Sequence, residues 1–95
     1  MIVSMIKLIA EIPGADSLKA KRRVVLSIKD KMRRRFHISA AEVDLHDALA
    51  FTEIGGALVS NSAAFGEAVL QKAFEAIESE SPIRVQDVRI HSEEF

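Results

Sequence analysis

Hydrophobic and polar positions along this chain follow two different periods, and each change of period marks an element. Ile2 to Ile12 reads as a strand: Ile2, Ser4, Ile6, Leu8, Ala10 and Ile12 point one way, and Val3, Met5, Lys7, Ile9 and Glu11 the other. Both faces are mostly apolar, as suits a central strand. Pro13-Gly14-Ala15-Asp16 breaks the alternation as a turn, and Asp16 or Ser17 is placed to cap a helix. From Leu18 to Arg35 the period becomes helical, with Leu18, Val25, Ile28 and Met32 on one face and Phe36 continuing the line. Such a helix is about 27 Å long, enough to cross a sheet.

Ile38 to Asp44 predicts a second strand, rich in small residues. Leu45 to Phe51 is a connection that carries no signal for its shape. Thr52 to Ser60 predicts a third strand, and Gly55-Gly56 at its middle implies a bulge or a close approach by another backbone. Asn61 or Ser62 caps a second helix over Ala63 to Glu78, with Gly66, Val69, Leu70, Ala73 and Ile77 as its inward stripe. After Ser81-Pro82 the last strand runs from Ile83 to Ser92. Its apolar residues change phase, from Ile83 and Val85 to Val88 and Ile90, which places a bulge near Gln86-Asp87. The order βαββαβ is the ferredoxin-like pattern. It predicts an α+β fold, one domain over residues 1–95, with a four-stranded antiparallel sheet and two helices on one face. No element remains to cover the other face, and a second copy of the chain is its simplest cover, so a homo-oligomer is expected.

Composition enters mainly by exclusion. With 95 residues and 48% hydrophobic content, the chain is globular and forms a single core. The absence of cysteine removes disulfides, Cys-based zinc sites, iron–sulfur clusters and thiol nucleophiles, and fits a reducing cytoplasm. The first twelve residues contain Lys7 and Glu11 and lack both a basic leader and a long apolar run, so neither a signal peptide nor a membrane span is expected. Five Phe with no Tyr or Trp exclude an interface anchored on those two residues.

Charge changes the picture more. The net is −1, which on average argues against a nucleic-acid partner. Yet Lys19 to Arg35 holds nine basic residues and one acid, Asp30, while the other 78 residues hold four basic residues and 13 acids. The polarisation is therefore +8 against −9. At 100° per residue, Lys19, Arg22, Arg23, Arg33 and Arg34 make a stripe beside the apolar face, with Lys21, Lys29, Lys31 and Arg35 around its edges. Such a stripe binds polyanions by counterion release. The competing reading is a solvated face whose charges meet the acids of the second helix. Against it, structural faces mix signs, and only Asp30 interrupts this run. Lys19, Lys21, Arg22, Arg23, Arg33, Arg34 and Arg35 are therefore the candidate nucleic-acid or anion-binding residues.

Weaker patterns stand beside this one. The helix start near Leu18 to Ala20, with Lys19, Lys21 and Arg22, offers backbone N–H groups to a single phosphate, although ordinary capping explains it too and no P-loop spacing is present. Recognition of RNA by stacking on the open sheet needs aromatics on the first and third strands, and Ile2–Ile12 and Thr52–Ser60 contain none. Glu42, Asp44 and His46 alternate and would share a face on a continuing strand, but a polar strand end explains them as well, and no metal or other cofactor is expected. His37 and His91 pair with no nucleophile, so no catalytic residues are assigned and an enzyme is not expected.

Ser17-Leu18-Lys19-Ala20-Lys21-Arg22-Arg23, with Ile12-Pro13-Gly14-Ala15 before it, Ser39-Ala40-Ala41-Glu42-Val43-Asp44 after it and Ile54-Gly55-Gly56-Ala57-Leu58-Val59-Ser60-Asn61 beyond, resembles the YlxP-like family of small bacterial proteins. The similarity spans nearly the whole chain. It implies a ferredoxin-like domain of unknown function whose genes often lie near those for translation-initiation and ribosome-maturation factors. Lys19, Lys21, Arg22 and Arg23 match the family's motif, whereas Leu49-Ala50-Phe51 stands where relatives commonly carry Trp-Gln-Arg. The resemblance adds no catalytic residues. The leading expectation is a non-enzymatic cytoplasmic protein that binds structured RNA or the ribosome through its basic first helix. The alternatives are a homo-oligomeric module meeting an acidic protein and a regulatory domain binding a small anion.

Overall fold

Why the chain folds around its first strand is visible in the burial pattern. A computed structural model describes all residues, 1–95, as β1 (Ile2–Glu11), α1 (Leu18–Phe36), β2 (Ser39–Asp44), β3 (Phe51–Ser60), α2 (Ala63–Glu80) and β4 (Arg84–Glu94). The sheet is antiparallel between neighbours β1 and β3, β1 and β4, and β2 and β3, in the order β2-β3-β1-β4. β1 is thus a central strand, flanked on both sides. Ser4, Ile6, Leu8 and Ala10 are buried beneath the helices together with Ile12, whereas Val3, Met5, Lys7, Ile9 and Glu11 face the uncovered side.

Ser17 caps α1 by accepting from the Ala20 N–H, and Ser62 caps α2 by accepting from the Phe65 N–H. Of the two capping candidates at each start, the serine nearer the helix serves both times. Val25, Ile28 and Met32 of α1 and Leu70, Ala73 and Ile77 of α2 close over Ile6, Leu8, Ile12, Ile38, Ala40 and Ile54 to form one core. The expected bulge in the last strand is present: Ile9 pairs with Asp87 but Ala10 with Val85, leaving Gln86 as the extra residue.

Three local expectations change. The paired glycines do not mark a bulge, which falls instead at Val43, between the pairs Glu42–Ile54 and Asp44–Glu53. They answer to side chains rather than to a backbone: a Cβ on Gly56 would sit 2.5 Å from Met32 Cε and 2.9 Å from Ile38 Cγ2. Glycine there lets α1 settle onto the sheet. Gly66 does the same for α2, where a Cβ would fall 2.1 Å from the buried Ser4 Oγ, itself hydrogen-bonded to Ser92 Oγ at 2.8 Å. Finally, β3 begins one residue earlier than expected, so Phe51 belongs to it.

Candidate functional site

The helical geometry of α1 sorts its cations into separate populations. Lys19, Arg22, Arg23, Lys29, Arg33 and Arg34 lie on the arc turned away from the core, with Leu26 and Asp30 between them. From Lys19 to Arg34 this arc runs about 22 Å along the helix axis. None of the six has a carboxylate within ion-pair distance. Arg33 instead donates to the carbonyl of Ala40 in edge strand β2.

The flank facing α2 behaves differently. Arg35 lies 2.7 Å from Glu80 Oε1, and Lys31 lies 3.7 Å from the same oxygen. The Arg35 hydrogen bond, followed by the charges of Arg35 and Lys31, holds the Glu80 carboxyl below its ordinary value of 4.5. The reading in which charges of the two helices neutralise each other therefore applies to Lys31 and Arg35. Arg35 is a candidate binding residue already occupied within the fold.

Lys21 requires a correction. It is 1% exposed, at the centre of the buried stripe rather than at the edge of the basic one. Its Nζ donates to the carbonyls of Leu45 and His46 and lies 3.2 Å from Glu42 Oε2. That oxygen also accepts from the buried Thr52 hydroxyl at 2.5 Å. A buried ammonium requires such partners, because desolvation penalises an unpaired charge heavily. Lys21 fastens α1 to the end of β2 and shapes the connection that follows, where Leu45 adopts a left-handed conformation with φ 63°. It has no free donor face to offer an outside polyanion. The small-anion reading at the start of α1 loses the same cation, which leaves Lys19 and Arg22 there.

The alternating Glu42, Asp44 and His46 do not converge. Glu42 turns to Lys21 and Thr52, Asp44 Oδ1 accepts from the Leu45 N–H at 2.7 Å, and His46 Nε2 contacts the Glu42 carbonyl at 3.1 Å. The Val43 bulge and the turn at Leu45 end the strand regularity that would have aligned them. His37 ends α1 in the left-handed region, φ 55°, and His91 contacts Glu93 at 3.1 Å on β4. Phe51 puts one ring on the open sheet face at its margin, level with Glu11. The central levels of β1 and β3 on that face hold Met5, Lys7, Gly55 and Ala57, so no stacking platform forms.

Two features escaped sequence reasoning. Phe65, in the first turn of α2, is 60% exposed and lines a cavity of about 370 Å³ with Phe36 and Val69. Its place ahead of the inward Gly66 was a legible signal, since neighbours on a helix face different ways. Leu26 likewise sits exposed among the arginines.

No helix is long and apolar enough to cross a membrane. No curated protein matches the chain. Among solved structures, an acylphosphatase from Bacillus subtilis is similar over 98% of this chain and 86% of that one, with TM-score 0.56 and 15% identity. A structural-genomics protein, YJCS, is similar over 94% of this chain and 96% of that one, with TM-score 0.58 and 9% identity. At these identities the likeness shows the ferredoxin-like fold shared by all three. Residues 3–90 match the model of a family described as a protein of unknown function, and the chain belongs to that family, DUF503.

Proposed function

We propose that this protein is a non-enzymatic cytoplasmic RNA-binding protein that meets structured RNA or the ribosome through the outward arc of α1. The observation that carries this reading is the set of six cations, Lys19, Arg22, Arg23, Lys29, Arg33 and Arg34, without a carboxylate partner in the fold. Crowding like charges on one helix face costs stability, and a polyanion is the partner that recovers it. The YlxP-like resemblance, with its implied company of translation factors, points the same way. The acidic remainder of the chain confines attraction to this face.

A salt series of RNA binding tests it. Wild-type affinity should fall with a logarithmic slope of about −4 to −5, given roughly 0.7–0.9 per neutralised phosphate and six cations. The variant Lys19→Glu/Arg22→Glu/Arg23→Glu should bind at least tenfold more weakly at low salt. Equal binding by both proteins, or no binding by wild type at low salt, overturns the reading.

A second copy of the chain fits the uncovered face of the sheet. Val43 is 50% and Val59 64% exposed there, beside Val3, Met5 and Ile9. Charge on the face is self-complementary: Lys7 and Arg89 share one level across the strands, and Glu53 and Asp87 share the next. A two-fold axis between those levels lays each acidic row over the partner's basic row. Sedimentation of wild type as a dimer, and of Met5→Glu/Val59→Glu as a monomer, is expected. A strictly monomeric wild type at high concentration removes this second reading.

A further inference from the structure

The end of β3 creates a recess that the basic arc does not explain. β2 enters the sheet late: its first pair is Ser39 with Ala57, so Leu58, Val59 and Ser60 have no β2 neighbour on that side. The space left open is walled by the end of α1 and the first turns of α2, and it measures about 370 Å³. That is the low end for a small-molecule pocket, sized for a single ring system rather than a folded segment.

Its chemistry is unusual for a surface notch. Phe36, Val69 and the exposed Phe65 form the walls, and Leu58 and Val59 of β3 lie at the floor. Phe65 sits in the first helical turn, where a polar residue would serve capping equally well, yet it leaves 60% of its surface in water. Arg35 and His37 form the rim, and the Arg35 guanidinium lies 5.5 Å above the centre of the Phe36 ring. No carboxylate lines the recess. Arg34, on the outward arc, immediately precedes this rim in the chain.

We propose that this recess holds an unstacked nucleobase of the RNA whose backbone follows the arc of α1. The inference rests on the RNA reading given above and specifies it: the preferred RNA has an unpaired base beside a phosphate track. A nucleobase is a flat, uncharged ring carried on an anionic chain. It matches an apolar slot with aromatic walls at the end of a cationic stripe, because bases stack on aromatic side chains whatever their identity. This arrangement differs from stacking on an open sheet. The rings come from the helix ends, and the sheet supplies only the floor.

The test uses the full chain and two RNAs of equal charge, a hairpin with 2-aminopurine in its loop and a fully paired duplex containing the same probe. Wild type should bind the hairpin about tenfold more tightly than the duplex and quench the probe's fluorescence, in line with the usual strength of base–aromatic stacking. Phe65→Ala should lose both the preference and the quench while binding the duplex like wild type, and Phe65→Tyr should retain them. Phe65 is exposed, so its truncation spares the core, and an unchanged circular dichroism melt confirms this. Equal affinity for the two RNAs, or quenching that survives Phe65→Ala, overturns the proposal while leaving the charge-based reading standing. If Phe65→Ala instead abolishes self-association and leaves RNA binding unchanged, the recess belongs to a second copy and the proposal fails. Binding of neither RNA at low salt removes the RNA reading, and this site with it.

Discussion

Lys21 and Arg22 are neighbours in sequence and opposites in structure. One is enclosed among two carbonyls and a carboxylate, and the other is exposed and makes no ion pair within the fold. The same contrast divides the whole of α1. On its inner and α2-facing flanks, cations are consumed by the fold: Lys21 by Glu42, and Lys31 and Arg35 by Glu80. On its outer arc they are left over. A run of basic residues is therefore not one feature. The helical period apportions it between cations that hold the protein together and cations that have no carboxylate partner in the fold.

Removing the inner cation should break this division most severely. Lys21→Met leaves the largely buried Glu42 carboxylate without its counter-charge and removes the ammonium donor from the carbonyls of Leu45 and His46, and is expected to cost about 3–4 kcal/mol. Urea denaturation would measure it, and RNA affinity of the remaining folded protein should be nearly unchanged. A Lys21→Met/Glu42→Leu protein should recover part of the loss, because exchanging both partners for apolar groups removes the uncompensated charge. If Lys21→Met melts like wild type, the inner flank is no more structural than the outer.

Next in size is Gly56→Ala, which tests whether the seating of α1 on the sheet is what positions both flanks. The new methyl would meet Met32 Cε and Ile38 Cγ2, and overpacking of this kind costs about 1–3 kcal/mol. A loss of midpoint with an unchanged dependence on urea is expected. The outer arc should show the reverse profile. Arg22→Gln or Arg23→Gln should change stability by no more than about 0.5 kcal/mol, while lowering the salt slope of RNA binding by about one per residue.

The smallest effect belongs to Glu80. Its carboxyl titrates below 4.5 in the folded protein, so its pairing contributes fully above the unfolded value and is lost as pH falls through the lowered folded value. Glu80→Gln should therefore narrow the stability gap between neutral and acidic solution slightly, as seen in melts from pH 7 down to pH about 3. A gap that widens would mean that Glu80 repels a neighbour rather than holding Arg35.

Much of the fold was legible because it depends on local periods. The alternation of β1, the stripes of both helices, the serine caps and the phase change at Gln86 are all read within a few residues. Lys21 was half legible. Its spacing to Val25, Ile28 and Met32, at four, seven and eleven residues, places it at the centre of the inward stripe. Its charge argued for solvent, and the partners that reverse this, Glu42 and the carbonyls of Leu45 and His46, lie more than twenty residues away. The connection after β2 was not legible at all, since a left-handed leucine has no sequence signal and is held by that distant ammonium. The glycine pair was read as a bulge or an approach by another backbone and is neither, because side chains distant in sequence, Met32, Ile38, Ile6 and Val43, meet there. The recess at Phe65 depends on where β2 begins, which is a fact of register rather than of pattern.

Arg33 stands between the two populations of α1, facing outward yet bonded to the carbonyl of Ala40. β2 is an edge strand, and an open edge invites strands of other molecules to extend the sheet without limit. Here the carbonyl of Ala40 is already engaged, and the Val43 bulge disturbs the line a few residues further on. An arginine of the outer arc thereby guards the adjacent edge strand against open-ended growth of the sheet.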